Sequence, residues 1–113
     1  MIITTTTDTI EGKRIVRYLG VVTGEAVIGS NMFEDLFREL KGIVGGRANR
    51  FEQRLSQTRA MAMKLLRDNA QEVGANAVVG IDLDYEVFSA GAMMLMVIAN
   101  GTAVFVEDEE KKS

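Results

Sequence analysis

Residues 93–106 read Met-Met-Leu-Met-Val-Ile-Ala-Asn-Gly-Thr-Ala-Val-Phe-Val, and the reading of this run decides the fold. It is too short to cross a membrane as a helix, which takes about 20 consecutive apolar residues. Its Val, Ile and Phe content favours a β-strand. A strand with one wet face alternates apolar and polar residues, whereas this one is apolar on both faces and needs cover on both. In a chain of 113 residues covering layers are scarce. One face is therefore expected against the chain's own helix and the other against a second subunit or another strand of a ring. Met93, Met94, Leu95, Met96, Val97, Ile98, Val104 and Phe105 are the candidate interface residues. Gly101 reads as a bulge or bend within one long strand.

Working outward, residues 77–88 alternate cleanly. Val79, Ile81, Leu83, Tyr85 and Val87 fall on one face, and Asp82, Asp84 and Glu86 on the other. Ser89-Ala90-Gly91 is expected to be the tip of a hairpin joining this strand to the next. Upstream, Phe51, Leu55, Thr58, Ala62, Leu65, Asn69 and Val73 recur at helical spacing, widened by Leu66 and Ala70. They predict a long helix over 47–73, closed by Gly74 and opened either by an Asn49/Glu52 capping box or earlier, at Arg47. Such a helix and the strand over 77–88 each span about 40 Å. The helix is therefore expected to lie along the strand pair 77–88 and 93–106.

The first part of the chain is β-like. A short strand is expected over 2–7, then a turn at Glu11-Gly12 and a β region over 13–28. In that region Val16, Tyr18, Val22, Ala26 and Ile28 share a parity that suits the core. Gly20 and Gly24 interrupt it as bulges or places of close backbone approach, giving two short strands or one kinked strand. Asn31 and Glu34 resemble a capping box for a further helix over 32–41, with Gly42 and Gly45-Gly46 breaking it. Residues 107–113 form a charged tail expected to fray. The expected architecture is α+β: one domain over 1–106 with helices on one face of a largely antiparallel sheet.

Composition narrows the function classes. Apolar residues make up 47% and charged residues 26% of the chain, and the net charge is −3. That balance gives no reason to expect nucleic acid or a membrane as partner. The N-terminus lacks a basic n-region and a long apolar h-region, and a cytoplasmic location is expected. Cysteine and histidine are both absent, which removes thiol chemistry, the commonest metal ligand and the usual general base near neutrality. Ser30, Ser56 and Ser89 are nucleophiles without an activator. A non-enzymatic protein is expected.

Three constellations could still carry chemistry. Asp82, Asp84 and Glu86 are the candidate metal ligands; spaced by two along a strand they project about 6.6–6.8 Å apart, whereas a hard cation needs its oxygens converging on one point. Gly45, Gly46, Arg47 and Arg50 sit at the start of the long helix, where exposed N–H groups and the helix dipole favour an anion such as phosphate. Salt bridging within or between subunits is the plainer explanation of those arginines. Met61, Met63, Met93, Met94 and Met96 suit an adaptable core or interface better than a soft-ion site.

Gly24-Glu25-Ala26-Val27, Gly45-Gly46-Arg47, the run Gly-Ala-Asn-Ala-Val-Val-Gly-Ile-Asp-Leu-Asp-Tyr-Glu over 74–86 and Asn-Gly-Thr-Ala-Val over 100–104 resemble the YbjQ-like family. The resemblance covers about residues 2–106. It implies a β-β-α-β-β subunit assembled as a ring-like homopentamer and a heavy-metal-binding label, with no catalytic residues to carry over.

Overall fold

The computed structural model describes residues 1–29, 46–89 and 93–109, with side chains except at 46–51 and 93. The helix expected over 32–41, Gly45, Ala90 and Gly91 of the expected hairpin tip, and the last four residues lie outside this set. The described elements are β1 (Ile3–Thr4), β2 (Lys13–Ile28), α1 (Gly46–Glu72), β3 (Ala77–Ser89) and β4 (Met93–Asp108). They make an α+β unit in which α1 packs on a four-stranded sheet of order β1-β3-β4-β2. The sheet is mixed, because β1 runs parallel to β3 while β3–β4 and β4–β2 are antiparallel. No helix among the described residues is long and apolar enough to cross a membrane.

The doubly apolar run is the central strand. β4 continues past Val106, since Glu107 and Asp108 remain paired with Arg14 and Lys13 of β2. Its two faces are covered differently. Toward α1, Val97, Ala99 and Ala103 join Val22, Ala26, Ala62, Leu66, Ala70, Val78 and Ile81 in the main core. On the opposite face Val104 and Val106 pack with Ala77, Val79, Ile10 and Ile15. The β1–β2 connection thus folds over that face at one end only.

Bulges overturn the simple alternation of β2 and β3. Along β2, Val16 and Leu19 are each an extra residue against β4, so side-chain parity inverts between them. Tyr18, expected in the core, is therefore 72% exposed, opposite Val104 on the face away from α1. In β3, Gly80 and Ile81 together oppose Gly101 of β4, with Gly80 at φ 62°. Val79 consequently faces away from α1, whereas Ile81 and Leu83 face toward it. The irregularity lies in β3, and Gly101 stays within the continuous β4; a Cβ there would lie 2.6 Å from Val78 Cγ1.

The helix also sits differently from expectation. It packs chiefly on β2 and next on β4, and barely reaches β3. The cause is Gly24, where a Cβ would lie 2.1 Å from the Ala62 carbonyl oxygen; only glycine lets the helix backbone come so close to β2. The buried line accordingly runs through Thr58, Ala62, Leu66 and Ala70, leaving Leu65 and Val73 exposed. Thr58 survives burial by donating its hydroxyl to the Arg54 carbonyl at 2.8 Å. The helix ends in a Schellman motif: Ala75 N–H donates to Ala70 C=O and Gly74 N–H to Gln71 C=O, each at 3.0 Å, with Gly74 at φ 86°. Asn76 then fastens the return to the sheet. Its Nδ2 donates to Val106 O at 2.9 Å, and its Oδ1 accepts from Val106 N at 2.8 Å.

Candidate functional site

Beyond the β1–β2 connection, the sheet face opposite α1 is, among the described residues, a platform built by the pairing register. Thr23, Asn100 and Asp82 form one row across β2, β4 and β3; Glu25, Ile98 and Asp84 form the next, and Val27, Met96 and Glu86 the third. The middle column, Met94, Met96 and Ile98, is half-buried, and the flanking carboxylates are exposed. Thr23 donates its hydroxyl to Asn100 Oδ1 at 2.8 Å, pinning the first row.

The acidic ladder therefore exists as expected, on the exposed side of β3. The negative charge of Asp82 holds the Asp84 carboxyl above its ordinary value of 3.8, helped by a hydrogen bond between the two groups and, more weakly, by Glu86. This is the electrostatics of crowded like charges. Among the described residues no three His, Cys, Asp or Glu side chains are grouped so as to hold a metal ion. Soft heavy metals prefer thiolate and imidazole, and the whole chain has neither Cys nor His. The donor set does not fit a heavy-metal centre.

Of the anion candidates, Gly46 is the first residue of α1, Gly45 lies outside the described residues, and the side chains of Arg47 and Arg50 are not described. The first turn of α1 contains no acidic residue and the last turn no basic one. Farther along the helix a cleft of about 600 Å³ is lined by Glu52, Gln53, Leu55, Ser56 and Arg59. Arg59 Nη1 donates to Tyr85 Oη at 3.3 Å, tying this part of the helix to β3. Periodicity assigned Tyr85 to the core and gave no signal for this pair, because the helix was expected over β3 rather than β2.

The interface candidates divide. Leu95, Val97 and Val104 are 6%, 0% and 0% exposed and belong to the subunit's own core, which corrects their assignment to a partner. The missing Cβ of Gly24 and the methyl side chains of Ala26 and Ala62 let α1 down onto β2 and β4, so Leu95 and Val97 are used internally. Met94, Met96, Ile98 and Phe105 stay half-buried, and Arg17 of β2 stacks over the Phe105 ring at 5.3 Å. Sequence periodicity missed the large apolar side chains left in solvent: Val21 at 77%, Met61 at 64%, Val87 at 58%, Val27 at 48%, Tyr85 at 45% and Leu65 at 42% exposed.

The fold resembles that of a solved crystal structure of a protein of unknown function, of the DUF74 family, from Pediococcus pentosaceus ATCC 25745. The TM-score is 0.64 at 19% sequence identity, over 94% of this chain and 98% of that one. The YbjQ_1 family model, described as "Putative heavy-metal-binding", matches residues 1–107, and the chain belongs to that family.

Proposed function

We propose that the protein is a non-enzymatic, self-assembling subunit whose ring-like homo-oligomer, a homopentamer, is the working unit. The observation that carries this reading is apolar surface on both flanks of a thin two-layer body. Met61 and Leu65 emerge on one flank of α1, Tyr85 and Val87 on the far half of β3, and Val21 and Val27 on the edge strand β2. The cause is geometric. β2 and β4 each run for 16 residues, about 50 Å at 3.3 Å per residue. One helix held close to β2 reaches neither the far half of β3 nor the opposite face, where Val21 and Val27 lie, and contiguous exposed apolar surface marks an interaction site. Light scattering tests the reading: a species near five times the 12.4 kDa subunit mass is expected at micromolar concentration. A stable monomer would overturn it.

A second reading, a small-anion or cofactor-binding module, draws support from the start of α1. Among the described residues, the first turn of α1 from Gly46 carries no acidic residue, and a helix N-terminus without one favours an anion. Gly45, Gly46, Arg47 and Arg50 are the proposed residues. Thermal-shift screening with phosphates and nucleotides, with Arg47→Ala as control, tests this. Equal shifts in parent and variant would dismiss it.

A further inference from the structure

We propose that the sheet face opposite α1 is a docking surface for another protein, and that its occupant is a cationic amphipathic helix. The surface lies across the sheet from Met61, Leu65, Tyr85 and Val87, so its occupant need not compete with a second copy of the chain.

β4 is the reason this face needs cover. At one end Val104 and Val106 are buried with Ile10 and Ile15. Farther along, Met94, Met96 and Ile98 join no buried cluster among the described residues and stay half-buried. Val27 beside Met96 and Phe88 beside Met94 widen this apolar stripe. From Met94 to Asn100 the stripe runs for about 20 Å at 3.4 Å per residue, the length of a helix of about 14 residues. A helix layer on each face of a sheet is a stable architecture, and here only one of the two layers is supplied by α1.

Charge selects the occupant. Glu25 of β2 and Asp84 of β3 flank Ile98, while Asp82 flanks Asn100 and Glu86 flanks Met96. All four carboxylates are exposed, and together they exceed the net charge of −3 of the whole chain. No lysine or arginine shares these rows; Lys13 lies on the same face only at the far end, paired with Asp108. Strands lie about 4.8 Å apart, so the two carboxylate columns stand about 10 Å apart across β4, the width of a helix. Along β3 the acids step by about 6.8 Å, and helix positions i and i+4 are about 6 Å apart. A helix laid along β4 thus sets its apolar stripe on Met94, Met96 and Ile98. Its cations at i, i+4 and i+8 fall over Asp82, Asp84 and Glu86, and one on the other flank falls over Glu25. Asp82 already crowds Asp84 within the subunit, and cations placed beside them relieve that repulsion.

Other occupants fit less well. A bare metal ion needs oxygens converging on one point, and these are strung out along a strand. The α1 helix of a second copy has already buried its apolar line through Ala62, Leu66 and Ala70 in its own subunit. Residues 32–41 carry Glu34, Asp35 and Glu39 against Arg38 and Lys41, the wrong balance for an acidic rim.

The probe is a synthetic peptide of about 14 residues, leucine along one helical face and lysine elsewhere. Titrated into the full chain with methyl-labelled methionine, it should shift the Met94 and Met96 methyl signals saturably and leave Met61 unmoved. The same peptide with glutamate in place of lysine should shift neither. Asp84→Lys/Glu86→Lys should weaken binding roughly tenfold while keeping the parent's circular dichroism. Glu25→Lys, on the other flank, should weaken it as well. Glu11→Lys/Glu72→Lys makes the same change in net charge at exposed positions off the platform and should bind as the parent does. Equal weakening in that control would mean attraction to the overall charge and overturn the proposal. So would a shift confined to Met61, or no saturable shift at about millimolar peptide. A fall in the mass of Asp84→Lys/Glu86→Lys by light scattering, relative to the parent, would place a second copy on this face and overturn it too.

Discussion

Replacing Gly24 with alanine should destabilise the protein about as much as truncating a large core side chain. The added Cβ would lie 2.1 Å from the Ala62 carbonyl oxygen, 2.5 Å from the Leu66 nitrogen and 3.0 Å from the Leu66 Cα. Ordinary contact begins at 3.4 Å, so the shortfall at the first of these is 1.3 Å. All three atoms are helix backbone, and no rotamer change moves them. The helix must retreat from β2 by about 1 Å, and a gap of that size forfeits a quarter to a half of each dispersion contact along the interface. Val22, Ala26, Leu66 and Val97 would all lose contact together. Overpacking a core costs about 1–3 kcal/mol, and the rigidity of these atoms places Gly24→Ala at the top of that range. The reduced entropy of the unfolded chain returns only about 0.4–1 kcal/mol. At roughly 4–8 °C per kcal/mol for a small domain, Tm should fall by about 10–20 °C. Urea unfolding followed by circular dichroism, at one fixed protein concentration, measures it. Gly29→Ala is the control, because a Cβ there meets nothing within 4 Å. Ala62→Gly should not rescue, since the clash is with the Ala62 carbonyl rather than its methyl group. A Gly24→Ala variant within about 0.5 kcal/mol of the parent would refute the close-approach argument.

Other perturbations separate the remaining forces. Asn76→Ala removes both side-chain bonds to the Val106 backbone; with Val106 only 5% exposed, a loss of about 2 kcal/mol or more is expected in urea unfolding. Gly80→Ala adds a Cβ into open space at φ 62°, so only backbone strain of about 1–2 kcal/mol should appear, without the packing loss of Gly24→Ala. The raised carboxyl of Asp84 contributes stability below its ordinary value of 3.8, and that stability is lost as pH rises through the elevated folded value. Asp84→Asn should therefore raise Tm at pH 7, with the difference vanishing in acid. Asp108 has the opposite sign: its hydrogen bond and ion pair with Lys13 lower its carboxyl, so its contribution is present above 3.8 and lost as pH falls through the lowered value. A thermal melt of Asp108→Asn should thus show its largest loss near neutrality.

Periodicity found β2, α1, β3 and β4 because each has a long regular stretch, and those stretches survived in the structure. It failed where one residue changed the count. The alternation of residues 77–88 looked unbroken, yet Gly80 and Ile81 share one partner and turn Val79 to the opposite face from Ile81. A bulge costs little sequence signal: one glycine among apolar residues serves equally for a bulge or a close contact. Gly24 and Gly80 illustrate this, the first a contact with ordinary φ and the second a bulge with open space around it. The β1–β3 pairing was illegible for another reason. It holds two residues on each side and depends on a connection returning across the sheet, which no local pattern encodes.

The placement of α1 links these details to the candidate surfaces. A helix centred over β3 and β4 would have buried Tyr85 and Val87 and left β2 bare. The residues that prevent this are small ones: Gly24 and Ala26 on β2, Ala62 and Ala70 on α1, and Ala99 and Ala103 on β4. They bring the helix backbone close to β2, and a helix held that close cannot also reach the far side of β3. Exposed apolar surface on β3 is thus a geometric consequence of the close contact at Gly24. The two can be separated experimentally, because Gly24→Ala should weaken the fold whether or not subunits assemble, whereas Tyr85→Lys/Val87→Lys should weaken assembly alone. A loss of subunit stability in the second variant equal to that in the first would show that Tyr85 and Val87 are held by their own chain, and the argument for a partner on that face would fail.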